Sequence, residues 1–292
     1  NPRAVAAQEF AKLVEQKTNS EVTINIAGSE QLGNDVAMLT SLRTGALDLT
    51  ANSQGAVSGL VPEIGALGLP FLFADAAQAF RVLEGPVGQE LAEKLNGVGI
   101  IAIGWWDNGI RHITNSKRPI NDPADAKGLK VRTMENQVHM TAFRQLGVLP
   151  TPMAFTEVFT ALQQGVMDSQ ENPLATILSS KFYEVQDYMT LTGHAYHTYA
   201  AVMNKQSWDG LPDDLKQVLE DAMIVGRDAA RQFTAEYEAK TLEEIADQIE
   251  IQELSPEGRE AFVEASQPIY EEFRPLVTPE LMDKAIAVAA GE

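Results

Sequence analysis

Apolar and polar residues follow helical spacing in some segments of the first part of the chain and strict alternation in others. Apolar side chains at helical spacing predict an amphipathic helix over residues 3–17, and alternating β-branched residues predict a strand over residues 22–26. Asn34 can cap a second helix, and a second strand is predicted over residues 47–50. This order of strand, helix and strand is typical of an α/β fold.

A short polar turn follows the second predicted strand directly. It carries Asn52, Ser53 and Gln54, whose amide and hydroxyl groups can donate and accept hydrogen bonds. Ligands of open α/β sheets bind beyond the carboxyl ends of the strands, which makes this turn a candidate ligand-binding wall. On spacing alone, a plain surface loop is an equally good interpretation.

A continuous apolar run marks the next strand. Residues 99–106 carry no charge, which predicts a buried strand. The polar residues 107–109, with Asn108 at their centre, predict the turn that ends it. Arg111 follows at once, where the chain enters the next part of the fold.

Two short strands come next, each with a polar residue near its end. Residues 129–132 alternate and end at Arg132, and residues 166–168 lead into a predicted exit turn that contains Asn172. We therefore expect Arg132 and Asn172 at the strand carboxyl ends of one α/β lobe.

The last third of the chain is predicted to be mostly helical. Pro212 followed by two acids starts a helix, and apolar residues keep helical spacing from Leu215 to Tyr237. Continued to Ile249, this helix would be about 55 Å long at 1.5 Å per residue, long enough to cross two lobes. Two shorter helices broken near Thr241 are the alternative. Helices are also predicted over residues 76–95 and 259–289, and a strand over residues 196–203.

Composition limits the classes of function. A chain of 292 residues predicts two lobes rather than one core. There is no cysteine, which excludes disulfides, thiolate metal sites and cysteine catalysis. The net charge of −19 argues against nucleic acid and anionic membranes as partners. A site for an anion would need local positive charge of its own.

The sequence lacks the common catalytic motifs but has two arginines at candidate site positions. It has no nucleophile elbow, no P-loop and no dinucleotide fingerprint. His194 and His197 lie three apart, but no nearby carboxylate completes a metal site, so we predict no metal and no cofactor. Arginine binds a carboxylate through two parallel hydrogen bonds. Arg111 and Arg132 can therefore form a carboxylate clamp or, equally, salt bridges to nearby acids.

Six short motifs occur in an order that is typical of one family. They are Gln31-Leu32-Gly33-Asn34-Asp35, Leu47-Asp48-Leu49-Thr50, Gly109-Ile110-Arg111, Gly128-Leu129-Lys130-Val131-Arg132, Pro150-Thr151-Pro152-Met153-Ala154-Phe155 and Gln170-Glu171-Asn172-Pro173. Over nearly its whole length the chain resembles the solute-binding proteins of tripartite ATP-independent periplasmic (TRAP) transporters, in the dicarboxylate and sugar-acid branch. The resemblance implies an α/β, two-lobed periplasmic binding protein fold, with crossing strands and a long helix spanning both lobes.

The resemblance also implies roles for individual residues. Arg132 matches the principal carboxylate clamp, Arg111 and Asn172 match positions that assist it, and Phe155 matches a residue that packs on the ligand. The facing wall in the first lobe and the edge of the cleft complete the predicted ligand-binding set, which adds Asp35, Asn52, Ser53, Gln31, Asn108 and His197.

Further expectations follow from the same resemblance. Residues 1–108 and 198–237 are predicted to form the first lobe, and residues 109–197 and 238–292 the second. The partners implied are an organic acid and the small and large membrane subunits of a TRAP transporter. We expect an exported periplasmic monomer whose signal peptide has been removed, and not an enzyme. An extracytoplasmic sensor, or an enzyme using Glu171 as a base, are the competing hypotheses.

Two departures from the family pattern affect the expected ligand. The family's strand ahead of the first helix is missing, and Ser53 stands where sialic-acid binders carry an acid. This favours a smaller polyhydroxy acid, with D-glucuronate or D-galacturonate as the choice and a C4-dicarboxylate as the alternative. Asp35 is expected to be the one acid near the far end of the ligand. It would disfavour a second carboxylate there.

Overall fold

Seven strands form a single mixed sheet in the computed structural model, which describes residues 1–291. The strands are Leu49–Ser53 (β1), Ile100–Asn115 (β2), Lys130–Thr133 (β3), Leu149–Pro152 (β4), Ser169–Pro173 (β5), Tyr188–Asn204 (β6) and Glu250–Glu253 (β7). The order across the sheet is β1-β6-β2-β5-β3-β4, and β7 also pairs with β6. The two central strands, β2 and β6, have 16 and 17 residues and pair antiparallel along most of their length.

The two long strands connect two groups of shorter strands. β1 pairs with residues 199–203 of β6, at one end of the β2–β6 ladder. β5 pairs with residues 111–115 of β2, and β7 with residues 188–191 of β6, at the other end. β3 and β4 continue the sheet beyond β5 in parallel. The first lobe is thus built around β1 and the second around β3, β4, β5 and β7, with β2 and β6 crossing between them.

Helices cover both faces of the sheet. The α-helices of the described residues are Pro2–Lys17 (α1), Asp35–Arg43 (α2), Gln54–Val57 (α3), Ala76–Glu84 (α4), Pro86–Gly97 (α5), Pro123–Ala126 (α6), Gln137–Gln145 (α7), Val158–Gln163 (α8), Leu174–Ser179 (α9), Lys205–Asp209 (α10), Asp213–Ile245 (α11), Pro256–Val277 (α12) and Pro279–Ala290 (α13). Short 3₁₀ helices cover Pro62–Gly68, Phe155–Glu157 and Phe182–Glu184. Within residues 1–291, no helix has the length and apolar character needed to cross a membrane.

The long helix α11 is continuous and serves both lobes. Its 33 residues span about 50 Å at 1.5 Å per residue. Near its start, Leu219 and Met223 pack in a core with Phe10 of α1, whereas Ile245 at its end packs in a separate core with β6 and α9. The prediction of one long helix is confirmed, and the alternative break near Thr241 is wrong.

The strand predicted over residues 99–106 continues much further than the pattern indicated. Residues 107–109 do not form a turn, because β2 runs through them to Asn115. Its pairing with β6 shifts register between Asp107 and Gly109, and Gly109 has a φ of +116°, which suits a β-bulge. The polar residues that predict a turn therefore form a bulge inside a crossing strand, and Asn108 and Arg111 lie near its middle.

The two predicted polar turns are also strand residues. Asn52 and Ser53 belong to β1, and Gln54 begins α3 with its side chain fully buried. Residues 169–172 lie in β5 rather than after it, because they pair with β2. The two strands end three and five residues later than predicted, at Ser53 and Pro173, since buried polar side chains at these positions find hydrogen-bond partners and do not need solvent.

Two further predicted elements differ from the structure. Residues 22–26 form no strand, although Val22 and Ile24 do pack against the first-lobe core. Alternation correctly indicated a half-buried face at Val22 and Ile24, whereas Ile26 is exposed. No strand of residues 1–291 pairs with this stretch. The helix predicted over residues 76–95 is two helices, because Gly85 ends α4 and Pro86 occupies the first position of α5.

Packing of α1 on α11 gives a test of this arrangement. We expect Gly226→Ala to destabilise the protein, because a Cβ at position 226 would lie 2.7 Å from the carbonyl oxygen of Ala6. Overpacking costs about 1–3 kcal/mol, which exceeds the gain of up to about 1 kcal/mol from replacing a helical glycine. Urea unfolding measures the change. Gly97→Ala is the control, since nothing lies within 4 Å of a Cβ there; equal effects would contradict the expectation.

Candidate functional site

A cleft with about 770 Å³ of empty space, including its open mouth, lies between the two lobes. Its floor is formed by the middle of β2 and by the ends of β1, β3 and β5. Seven of the predicted ligand-binding residues line it, namely Arg132, Arg111, Asn172, Phe155, Ser53, Asp35 and Asn108. The structure therefore brings most of the predicted set to one place.

Arg132 lies near the end of β3 and is buried, with 3% of its surface exposed. Its Nε and Nη2 both donate to the carbonyl oxygen of Met153, at 3.0 and 2.7 Å, and its Nη1 has no partner. No acid of residues 1–291 forms a salt bridge with it. Burial, helped by the charge of Arg111, lowers the pKa of Arg132 to about 10, so it stays protonated at neutral pH. The guanidinium is a fixed positive charge at the base of the cleft.

Arg111 is fully buried in β2 and is held by an acid. It forms a two-pronged salt bridge with Glu171 of β5, in which Nη2 donates to Oε1 at 2.9 Å and Nε donates to Oε2. Nη2 also donates to Asn172 Oδ1 at 3.2 Å, whereas Nη1 has no partner. The salt-bridge interpretation is thus correct for Arg111 and wrong for Arg132, and each arginine keeps one free amino group.

Glu171 is buried behind the cleft and does not line it. His194 Nε2 lies 3.2 Å from its Oε2, and His139 Nδ1 lies 3.8 Å from its Oε1. Burial alone would raise the pKa of Glu171, but the charge of Arg111, the hydrogen bond to His194 and the nearby ring of His139 hold that pKa well below its ordinary value. A carboxylate held in this way is a poor base, which agrees with a structural role.

Three further predicted residues complete the second-lobe side and the floor. Asn172 is held between Arg111 and Gln170, to which its Nδ2 donates at 2.6 Å. The guanidinium of Arg132 lies 5.9 Å from the ring centre of Phe155, so the ring shields one side of the clamp. Asn108 is buried at the β2 bulge, and its Oδ1 has no partner.

The first-lobe wall is built around Asp35, at the start of α2. Its Oδ1 accepts from Asn52 Nδ2 at 3.1 Å, and its Oδ2 accepts from the backbone N–H of Ser53 at 3.2 Å. Asn52 therefore orients Asp35 from behind the wall and does not line the cleft. The Ser53 hydroxyl faces the second lobe, where it lies 3.1 Å from Met134 Sδ.

Two more predicted residues lie outside the cleft lining. Gln31 is exposed on the loop before α2. His197 is fully buried in β6, with its Nε2 2.8 Å from His139 Nε2. Among residues 1–291, no group of three or more side chains is placed to hold a metal ion.

The sequence did not point to several lining residues. Arg3 of α1 donates to Asp35 Oδ1 at 3.3 Å, and Tyr199 of β6 lies beside it. Glu30 and Glu135 also line the cleft, so the expectation of Asp35 as the one nearby acid is wrong. Tyr199 could have been found from pairing, since it stands opposite Ser53 in the ladder. Nothing in the sequence places Arg3 at the cleft, because only the packing of α1 brings it there.

The two lobes touch across the mouth of the cleft. Thr156 of the second lobe donates to Glu30 Oε2 of the first lobe at 2.8 Å. With the contact between Ser53 and Met134, this closes the wall on one side. The structure is therefore a closed arrangement of the lobes.

Removing Arg111 tests its pairing with Glu171. Arg111→Ala should destabilise the protein by about 3–5 kcal/mol, because it leaves a buried carboxylate without its partner. The folded-state pKa of Glu171 is depressed, so the pair stabilises the protein above about pH 4 and this contribution is lost as the pH falls further. Urea unfolding at pH 7 measures the loss.

A double variant provides the control for this prediction. Arg111→Met with Glu171→Met replaces the pair by apolar side chains of similar length, and should be closer in stability to the original protein than Arg111→Ala is. A single variant as stable as the unchanged protein would contradict the role given to the pair.

Comparisons with known proteins agree with this geometry. The family model described as bacterial extracellular solute-binding protein, family 7 (DctP), matches residues 1–275. An uncharacterized Sinorhizobium fredii protein is 50% identical over 94% of this chain but only 50% of its own length. The 2,3-diketo-L-gulonate-binding periplasmic protein YiaO of Escherichia coli is 37% identical, over 82% of this chain and 73% of that protein.

Solved structures share the whole fold. A TRAP periplasmic solute-binding protein from Polaromonas sp. JS666, bound to D-erythronate, has a TM-score of 0.94 and 39% identity, covering 98% of this chain and 94% of that one. One from Sulfurospirillum deleyianum, with bound succinate, has a TM-score of 0.93 and 35% identity, covering 99% and 95%. The predicted two-lobed fold is confirmed. The expectation that the chain is not an enzyme is also confirmed, because the family consists of binding proteins of transporters. The chain belongs to the DctP family of bacterial extracellular solute-binding proteins and is a TRAP-type binding protein for organic acids.

Proposed function

We propose that the organic acid bound in this cleft is a monocarboxylate with several hydroxyl groups, and that the protein delivers it to the small and large membrane subunits of a TRAP transporter. The observation that carries the proposal is the charge state of three arginines. Arg111 is neutralised by Glu171 and Arg3 is paired with Asp35, whereas Arg132 has no acidic partner. One unpaired positive charge matches one carboxylate.

The free amino groups suit the geometry of that carboxylate. Nη1 of Arg132 and Nη1 of Arg111 are both buried without partners, and both residues line the cleft. A buried donor without a partner costs about 1–3 kcal/mol. A carboxylate that accepts from both would recover this cost, since charge-assisted bonds are the strong class.

The remaining free polar groups favour hydroxyls on the ligand. Asn108 Oδ1 and Thr176 Oγ1 are buried without partners, and both residues line the cleft. An acceptor of this kind needs a hydroxyl or amine to donate to it, and sites built to bond hydroxyls reject analogues that lack them. Glu30 and Glu135 add negative charge and oppose a second carboxylate.

The relatives support a hydroxylated acid and leave its size open. The Polaromonas protein binds D-erythronate, a short chain with one carboxylate and several hydroxyls. D-Glucuronate and D-galacturonate, each with one carboxylate and a ring of hydroxyls, remain our choice for this chain. A C4-dicarboxylate is the alternative, because the Sulfurospirillum relative holds succinate.

The lobe bounds, the location and the oligomeric state belong to the same proposal. We assign residues 1–108 and 198–237 to the first lobe and residues 109–197 and 238–291 to the second, with closure about β2, β6 and α11, except that α13 packs against α4 and α5 and belongs with the first lobe. Residue 292, which the sequence-based bounds include in the second lobe, lies outside the described residues. We further propose that the protein acts as an exported monomer in the periplasm of a Gram-negative cell, and that it is not the sensor considered above.

The ligand class can be tested by a screen and a titration. Thermal-shift measurements across organic acids, with mass spectrometry of the denatured protein for co-purified ligand, should select sugar acids. By calorimetry, we expect a uronate to bind at least a hundredfold more tightly than succinate, about 2.8 kcal/mol at 1.4 kcal/mol per tenfold change. The neutral parent hexose should not bind. Succinate or malate binding as tightly as every sugar acid would overturn the monocarboxylate proposal.

The clamp itself is tested at Arg132. Arg132→Ala should weaken binding of the best acid by about 2–5 kcal/mol, because a charge-assisted pair loses one partner in a closed cleft. This is some thirtyfold to several-thousandfold in affinity. Arg144→Ala is the control, since Arg144 is exposed on α7 of the same lobe and its loss changes the net charge equally. Affinity of Arg132→Ala within threefold of the original would remove Arg132 from this role.

A further inference from the structure

An ion pair on the first-lobe wall faces the cleft opposite the carboxylate clamp. Arg3 Nη1 lies 3.3 Å from Asp35 Oδ1, and both residues line the cleft. The two side chains are 30% and 25% exposed, so they are neither sealed in the core nor free in solvent. Both can therefore reach a bound ligand while still touching each other.

Each member of the pair is fixed by the residues around it. Arg3 Nη1 also donates to the carbonyl oxygen of Ala51 at 3.2 Å, and its guanidinium lies 4.8 Å from the ring centre of Tyr199. Asp35 is held by Asn52 and by the backbone N–H of Ser53. A preorganised pair loses little side-chain freedom when it binds a ligand.

The pair keeps unused hydrogen-bonding capacity of both kinds. Within residues 1–291, no protein group accepts from Nε or Nη2 of Arg3. A carboxylate such as Asp35 has about four acceptor positions, and its protein partners donate three side-chain or backbone bonds. A donor and an acceptor thus lie side by side in a pair with no net charge. One hydroxyl group can donate to the acceptor and accept from the donor.

We propose that Arg3 and Asp35 together determine ligand specificity, by binding hydroxyl groups at the far end of the ligand and excluding a second carboxylate. The inference rests on the function proposed above and assigns its selectivity to two residues. A carboxylate at this place would compete with Asp35 for Arg3 and would lie beside the Asp35 charge. A hydroxyl donates to Asp35 and accepts from Arg3 without separating them.

This division of roles predicts a change of specificity from one substitution. Asp35→Asn keeps the size of the side chain and an acceptor oxygen, but removes the charge that neutralises Arg3. The arginine then offers its charge to the far end of the ligand, as Arg132 does to the near end. Acids with two carboxylates should gain affinity, whereas acids with one carboxylate should lose only the bond to Asp35.

Matched ligands separate this effect from changes in size. Galactonate and galactarate differ at the far end, CH₂OH against carboxylate, and erythronate and meso-tartrate differ in the same way with a shorter chain. One of these two pairs has the chain length that fits the cleft. For that pair, calorimetry with the unchanged protein should show the monoacid binding at least tenfold more tightly than its diacid. In Asp35→Asn this ratio should fall at least tenfold. In Asp35→Asn with Arg3→Gln, the diacid should lose that gain, since no guanidinium remains there.

Controls make each outcome decisive. Asp48→Asn removes the same charge from an exposed position of the same lobe, and should leave the ratio unchanged. A cooperative thermal unfolding transition like that of the unchanged protein shows that Asp35→Asn is folded, independently of ligand binding. An unchanged ratio in that variant would overturn the inference while leaving the monocarboxylate function intact. If the unchanged protein already prefers the diacids, the proposed function fails and the inference fails with it.

Discussion

The buried salt bridge between Arg111 and Glu171 is the interaction on which the geometry of the cleft depends. It joins a crossing strand, β2, to β5, the second-lobe strand that pairs with it, and the two residues are offset by two positions in the ladder. Taking two charges out of water is expensive, and such a pair seldom adds net stability. Here the pair fixes the orientation of the Arg111 guanidinium. With Nε and Nη2 of Arg111 committed to Glu171, Nη1 is the one group left for a ligand, and Asn172 is held beside it.

The cleft solves an electrostatic problem for a protein with a net charge of −19. Two of its arginines are cancelled locally, by Glu171 and by Asp35, and serve as hydrogen-bonding groups with fixed orientation. Arg132 keeps its charge because its partner is the uncharged carbonyl of Met153. A buried charge without a counterion is costly, and in the binding mode proposed above the ligand carboxylate supplies the missing one. Under that proposal, ligand selectivity and charge balance have the same origin.

Much of this arrangement could be predicted from the sequence, where local pattern and position agree. Arg132 lies one residue before the end of a short strand, and that placement follows from alternation and from a family motif. Arg111 and Asn108 were placed at the right part of the chain but in the wrong element, because a bulge inside a long strand carries the same residues as a turn. Arg3 and Tyr199 were missed, since they reach the cleft through the packing of α1 and the pairing of β6 with β1. Such contacts join residues about 150 to 200 positions apart, and no local periodicity encodes them.

The acids at the mouth of the cleft have a consequence for the speed of capture. Glu30 and Glu135 stand at the entrance of an acidic protein, so an approaching anion meets repulsion before it meets Arg132. Its encounter rate then lies below the value for a neutral surface and rises with ionic strength as the repulsion is screened over about 10 Å at 0.1 M salt. Once inside, the ligand is held by buried groups that salt screens far less. The rate of ligand capture should therefore depend on ionic strength more than the rate of release does.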